Sequence, residues 1–171
     1  MERQKWFDKK FKFELLQDNY ASILDKLKGN PEIISQLVLN LPEEVLINKV
    51  DNKWSIKENV GHLIDLEELH TGRIDDFITG KDVLRPADLN NRKTDEANHN
   101  KKNINDLLKE LRSVRENFVT RMKNLNEEVL KTISIHPRLK QSMSPIDMAQ
   151  FVLEHDEHHI ETIEDLISKL Q

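Results

Sequence analysis

The stretch SPIDMAQFVLEHDEHHIETIEDLISKL, residues 144–170, decides the fold class that this sequence predicts. Its apolar residues recur at steps of three and four, which is the period of an amphipathic helix and not of a strand. Ser144, Pro145 and Asp147 form a typical helix start, with a cap, a proline in the first turn and an acid near the positive helix end. The predicted core stripe of this helix consists of Met148, Val152, His155, His159, Ile163, Leu166 and Leu170.

Helical periodicity extends over most of the remaining chain. Residues 54–80 open with Ser55 and Glu58, which are spaced as a capping box, and they close at Gly80. Residues 104–125 carry a further apolar stripe at steps of three and four.

Residues 19–41 also read as helical, but with a break. Gly29 is expected to end one helix, and Asn30 with Pro31 to begin the next. Four main helices joined by long connections predict an all-α, up-down antiparallel four-helix bundle. We expect a single domain over residues 1–171, with an N-terminal extension whose aromatic residues pack on it.

The amino-acid composition excludes several classes of function for this chain. The chain has a formal net charge of −5, and its lysines and glutamates are interspersed, which argues against a nucleic-acid partner. No apolar run reaches the ~20 residues that span a bilayer, and no signal peptide is evident, so no membrane partner and a cytoplasmic location are expected. The absence of cysteine excludes disulfides, thiolate ligands and a cysteine nucleophile, so any thiol must arrive with a substrate.

Three histidines lie within five residues near the end of the chain. His155 and His159 are four apart and project side by side, within about 40° of each other around the helix. His158 is about 100° from His159, toward the edge of that face. The four-residue spacing lets one helix offer two imidazoles to one metal ion. From this pair alone, hydrogen-bonded core histidines remain an equal alternative.

A third ligand would favour the metal. His62 lies in the capped helix on the same stripe as Leu66 and Leu69, and a facing helix of a bundle can bring it opposite the pair. Asp65, one turn further, could orient an imidazole or hold a metal-bound water. We expect His70 and Asp76 at the surface or rim.

The remaining polar residues have different expected positions and roles. His99 is expected to be solvated, whereas His136 could line a pocket mouth or be solvated. Asp65 and Arg73 are the candidates for catalytic roles, and Arg73 could reach an anionic substrate group or form a salt bridge. Glu67 and Glu154 are typical of a solvated helix face.

The long polar connection of residues 81–103 is of a length that is usually functional or poorly ordered. It contains Arg85, Asp88 and Asn90, which could close over the site and bind substrate.

The segments KWSIKENVGHLIDLEELHTGRI (53–74) and HPRLKQSMSPIDMAQFVLEHDEHHIETI (136–163) carry a family resemblance. In order and spacing they resemble the DinB/YfiT-like superfamily of metal-binding four-helix bundles, over nearly the whole chain. The resemblance implies three histidine ligands for a divalent metal, usually zinc or nickel. They map onto His62, His155 and His159, and they leave His158 out.

Three neutral imidazoles leave an ion its full charge and an open position, which is the catalytic pattern. Such a site can activate water or bind a thiol as thiolate. Relatives in the superfamily include bacillithiol- or mycothiol-dependent transferases and metal-dependent hydrolases. We therefore expect a thiol S-transferase acting on a small-molecule substrate with a low-molecular-weight thiol. The alternatives are a hydrolase on the same site and a non-catalytic, metal-binding stress-response bundle. The resemblance also favours a homodimer.

Overall fold

The structure is a computed structural model that describes residues 6–13 and 19–171. The four long helices are α1 (Tyr20–Val38), α3 (Ile56–Ile78), α5 (Ile104–Lys123) and α7 (Pro145–Leu170). The connections contain the short helices α2 (Glu43–Ile47), α4 (Arg92–Glu96) and α6 (Glu127–Leu130), and 3-10 turns at Trp6–Asp8 and His99–Lys101. Two antiparallel strands of two residues each, β1 (Ser134–Ile135) and β2 (Ser142–Met143), precede α7.

The long helices form a four-helix bundle, which confirms the predicted all-α fold class. Helices α1 and α3 each pack against both α5 and α7, so α1 and α3 lie at opposite corners. Helices α3 and α5 run in the same direction, so this pair departs from the up-down antiparallel order that the sequence predicted. At one end Lys57 Nζ donates to the Lys102 carbonyl at 2.7 Å, and at the other Arg121 Nη2 donates to Asp75 Oδ1 at 2.5 Å.

The connection between α3 and α5 makes this parallel pairing possible, because it returns along the length of α3. Its path lies close to the helix at two glycines. A Cβ atom at Gly61 would lie 2.2 Å from Cγ of His99, and one at Gly72 would lie 2.0 Å from Nη1 of Arg85. A side chain at Gly61 would displace the buried ring of His99, whereas one at Gly72 would meet only the end of the Arg85 side chain.

The two predicted helix starts are confirmed as capping boxes. The Ser55 hydroxyl accepts from the Glu58 amide at 3.2 Å, and the Glu58 carboxylate accepts from the Ser55 amide at 2.9 Å. Ser144 and Asp147 make the same reciprocal pair at the start of α7. These caps fix where α3 and α7 begin, and thus the heights of the histidines that they carry.

The predicted break at Gly29 is wrong, because α1 continues through Pro31 to Val38. Asn30 is buried, and its Nδ2 donates to Asp156 Oδ2 of α7 at 2.9 Å. Leu27, Ile34 and Val38 on either side of the glycine and proline also pack in the core. Tertiary packing therefore outweighs the local preference of glycine and proline for a helix end.

A buried ion network crosses the middle of the bundle. Arg115 of α5 donates to Glu67 of α3 at 2.9 Å and to Asp156 of α7 at 3.0 Å, and Asn30 completes the group. The expectation that Glu67 lies on a solvated face is wrong, since its side chain is 2% exposed. Burial raises the pKa of Glu67, but Arg115 and His70 together lower it by a larger amount, so the net shift of this pKa is downward.

No helix in the described part of the chain is long and apolar enough to cross a membrane.

Candidate metal centre

Three buried histidines converge between α3 and α7. One ring nitrogen from each of His62, His155 and His159 lies within 4.8 Å of the other two. The Nε2 atoms of His155 and His159 are 3.3 Å apart. Residues 155 and 159 are one turn apart on α7, and the antiparallel α3 brings His62 to the same height. The structure thus brings together the three residues that the sequence selected.

The orientation of His159 is set by Asn59. Asn59 Nδ2 donates to the Ser55 carbonyl at 2.8 Å, so its Oδ1 faces the ring and accepts from His159 Nδ1 at 2.8 Å. With its proton on Nδ1, the neutral ring has a bare Nε2, which is the form that binds a metal.

His62 is held in the same tautomer by a chain of two residues. Its Nδ1 lies 3.1 Å from the Thr94 hydroxyl, which itself donates to Asp65 Oδ2 at 2.9 Å. The hydroxyl proton is therefore engaged, and the oxygen is left to accept from His62. Asp65 thus contacts His62 through Thr94, and its role in orienting an imidazole, in holding a metal-bound water or in catalysis stays a prediction.

Asp65 has a second buried partner in His99. The His99 Nε2 atom lies 2.8 Å from Asp65 Oδ2, and His99 is 1% exposed, so the expectation that it is solvated is wrong. Burial raises the pKa of Asp65, but the hydrogen bonds from His99 and Thr94 together lower it by a larger amount, so the net shift of this pKa is downward. The carboxylate stays ionised and anchors the chain that leads to His62.

The environment keeps two of the three imidazoles neutral. Burial lowers the pKa of His62 to about 4, against smaller opposing effects of Asp65 and Asp95. Burial lowers the pKa of His155 well below its usual value, and the neighbouring His159 lowers it further. Nδ1 of His155 is buried with no hydrogen-bond partner in the part of the chain that the structure describes. Neutral rings with bare nitrogens suit a divalent cation, because a protonated imidazole cannot bind one.

The three histidines open onto a cavity of about 670 Å³, a size typical of small-molecule sites. Two tryptophans flank them. The Trp54 ring lies 4.5 Å from that of His62, and the Trp6 ring lies 4.8 Å from that of His155. The prediction that the N-terminal segment packs its aromatic residues on the domain is confirmed by Trp6. His158 also lines this cavity but does not join the three converging nitrogens.

His70 and Asp76 are buried, at 3% and 4% exposure, so their expected surface position is wrong. His70 Nδ1 lies 3.1 Å from Glu67 Oε1. The ring also lines the cavity, which leaves its Nε2 as the nitrogen available to a ligand. Asp76 instead pairs with Arg85, whose Nη2 donates to it at 2.9 Å.

The three residues predicted to bind substrate from the loop have different positions. Asp88 lines the cavity, and its carboxylate accepts from the Asn90 and Arg92 amides, each at 3.0 Å. Asn90 is exposed, and Arg85 is held by Asp76. A substrate-binding role for these three stays a prediction.

Arg73 and His136 line the far side of the same cavity. Both are buried, which answers the question that the sequence left open for His136. Arg73 makes no salt bridge to a carboxylate among the described residues; its Nε donates to the Arg85 carbonyl at 3.1 Å.

Comparison with known proteins agrees with this architecture. The family model of the DinB superfamily matches residues 26–163, so the chain belongs to the DinB superfamily. The fold is similar to that of YfiT from Bacillus subtilis, described as a probable metal-dependent hydrolase with an unusual four-helix bundle topology. The TM-score is 0.81 at 19% identity, and the match covers 95% of this chain and 93% of that chain. No curated protein matches the sequence.

Proposed function

We propose that this protein is a metal-dependent enzyme that transfers a low-molecular-weight thiol to a small electrophilic substrate. His62, His155 and His159 would hold a divalent ion, with zinc or nickel as the candidates. One observation carries the proposal: three inward-facing imidazoles lie on the wall of a large cavity, and no fourth histidine or carboxylate joins them in the described part of the chain.

A divalent ion bound there would keep its full charge and an open coordination position, with which it stabilises a thiolate or acidifies water. A non-catalytic metal site is normally closed by a fourth protein ligand. The open cavity therefore favours an enzyme over the structural alternative.

The chain itself supplies a candidate general base in His70. Its Nδ1 lies 3.1 Å from Glu67 Oε1, which orients the ring and leaves Nε2 as the nitrogen available in the cavity. A base oriented by a carboxylate in this way can take a proton from an incoming thiol or water. Glu67 is fixed in turn by Arg115, so the pair is built on the bundle core.

Thiol transfer is the lead because the superfamily resemblance includes thiol transferases and the cavity has room for two small ligands. The chain has no cysteine, so the thiol would be a cosubstrate. Hydrolysis on the same site is the second candidate. The description of YfiT as a probable metal-dependent hydrolase favours it.

Metal analysis of freshly purified protein, followed by two assays, tests the proposal. The first assay follows consumption of an activated aryl halide with a small thiol, and the second follows hydrolysis of an activated ester without any thiol. We expect metal-dependent turnover in the first assay only. Turnover in the second alone would replace transfer with hydrolysis, and no metal-dependent turnover in either would overturn the enzyme.

Three variants sharpen this test. His159→Ala should lose most of the bound metal and the activity, whereas His158→Ala should retain the metal. His70→Ala should keep the metal but lower kcat by about 10²–10⁴-fold, as expected when a general base is lost. Normal kcat in His70→Ala would remove the base from the proposal.

A further inference from the structure

Three side chains with hydrogen-bond donors, Arg73, His136 and Arg138, line the far side of the cavity. His136 Nδ1 accepts from the amides of Arg138 and Leu139, at 3.2 and 3.1 Å. The proton of this neutral ring is therefore on Nε2. Arg73 Nη1 lies 3.4 Å from that Nε2, so two donors lie side by side and face the cavity that both residues line.

Arg138 adds a third donor. Its Nη2 is buried and has no hydrogen-bond partner within the described residues. The guanidinium lies over the Phe7 ring, 5.2 Å from the ring centroid. A buried guanidinium nitrogen without an acceptor is costly, which points to a ligand that would provide one.

Arg73 carries a buried positive charge at this end of the cavity, since its side chain is 2% exposed. Asp76, the acid that acts on Arg73 among the described residues, is already bound by Arg85. Burial lowers the pKa of Arg73 to about 10; Asp76 opposes this shift, whereas Arg138 and Arg85 add to it. The planar guanidinium groups of Arg73 and Arg138 match the two oxygens of a carboxylate.

An apolar wall separates these donors from the three histidines. The Phe151 ring lies 5.1 Å from that of His136 and 5.3 Å from that of Trp6, and Trp6 in turn packs on His155. A ligand that reaches both ends must therefore carry an apolar body between its two polar ends.

We propose that Arg73, His136 and Arg138 form a carboxylate-binding subsite, and that the substrate is a small organic acid. Its carboxylate binds this subsite, and its apolar body lies along Phe151 and Trp6. The reacting bond then lies at the three histidines. Only that last placement rests on the proposed function; the carboxylate subsite does not require a metal.

The test compares phenylacetate with phenylacetamide, which has the same shape without the charge. Both are titrated by calorimetry into protein freed of metal by chelation, so that a carboxylate cannot bind an ion instead. We expect phenylacetate to bind about tenfold or more tightly than the amide, since hydrogen bonds to charged groups are the stronger ones. Equal affinities would overturn the proposal.

Arg138→Gln is the decisive variant, because Nη2 of Arg138 gives up no bond within the described protein and the fold should survive. It should lose most of the preference for phenylacetate, as should Arg73→Gln. Arg112→Gln, which removes a half-exposed arginine paired with Glu32, is the matched control and should keep the preference. A folded Arg138→Gln protein with the full preference would overturn the subsite. The result is independent of metal binding, which the preceding assays measure separately.

Discussion

His159 Nδ1 lies 2.8 Å from Asn59 Oδ1, and this contact decides which nitrogen of His159 faces the other two histidines. Asn59 cannot reverse its amide without losing the bond from its Nδ2 to the Ser55 carbonyl. The cap of α3 is therefore linked directly to the proposed metal ligand on α7.

Asn59→Ala should weaken metal binding by about 10–100-fold, because a ligand histidine loses the partner that orients it. Asn59→Asp keeps an acceptor at the same place and should retain most of the affinity. Competition against a chromogenic chelator measures both constants. Unchanged affinity in Asn59→Ala would show that the packing around His159 alone orients the ring.

Metal-free protein should lose stability as the pH falls from about 6.5 toward 4. Burial lowers the pKa of His62 to about 4, and burial with the nearby Arg73 and Arg138 lowers that of His136 to about 3. In the unfolded chain both titrate near 6.5. Between these values the unfolded state binds more protons, so the free energy of unfolding rises with pH, by about 1.4 kcal/mol per pH unit for each histidine.

Urea titrations at several pH values between 7.5 and 4.5 measure this slope. His62→Asn should give a shallower slope, since one of the contributing groups is gone. A midpoint that stays level across this range would show that the rings are protonated in the folded state.

The two glycines that face the loop should respond differently to alanine. Gly61→Ala places a methyl group against the buried ring of His99 and should destabilise by about 1–3 kcal/mol. Gly72→Ala meets only the end of the half-exposed Arg85 side chain, which can move, so it should cost less.

Gly29→Ala is the control within the same series. It meets nothing within 4 Å and lies inside α1, so it should stabilise by about 0.5–1 kcal/mol. Thermal unfolding gives the order of the three variants, and a Gly61→Ala protein as stable as wild type would contradict the close packing of the loop on α3.

Removing the arginine of the buried network should strongly destabilise the folded protein. Arg115→Leu leaves Glu67 and Asp156 buried without their cation, which costs about 3–5 kcal/mol. Arg112→Leu breaks an exposed pair with Glu32 and should stay within about 0.5 kcal/mol. Equal losses of stability in the two variants, measured by urea unfolding, would mean that the buried network stabilises the fold no more than an exposed ion pair does.

The residues that were predictable from the sequence lie on long helices. His155 and His159 could be assigned to one face because helical periodicity fixes the angle between them. His62 followed because a capped helix with its own apolar stripe must face another. The same periodicity did not reveal that α1 continues through Pro31, because the contact that holds Asn30 comes from Asp156, far away in sequence.

The residues that sequence reasoning missed depend on the connections. Thr94, His99 and Arg138 lie between the long helices, where spacing says nothing about direction. Asn59 is on α3 but was not recognised, since an amide one turn before a histidine is common. The only available signals were indirect, in the helix-interior glycines Gly61 and Gly72, which show where another segment must come close.

The α3–α5 connection returns along α3, so the cavity is lined both by packed helices and by loops. The sequences of these two parts can diverge at different rates during evolution. The three histidines belong to helices whose spacing is fixed by the core, whereas Pro86, Asp88, Pro137 and Arg138 line the cavity from loops. Loops tolerate insertion and exchange far better than packed helices. A descendant of this chain could therefore acquire a new substrate by altering its loops, and inherit the chemistry of its helices unchanged.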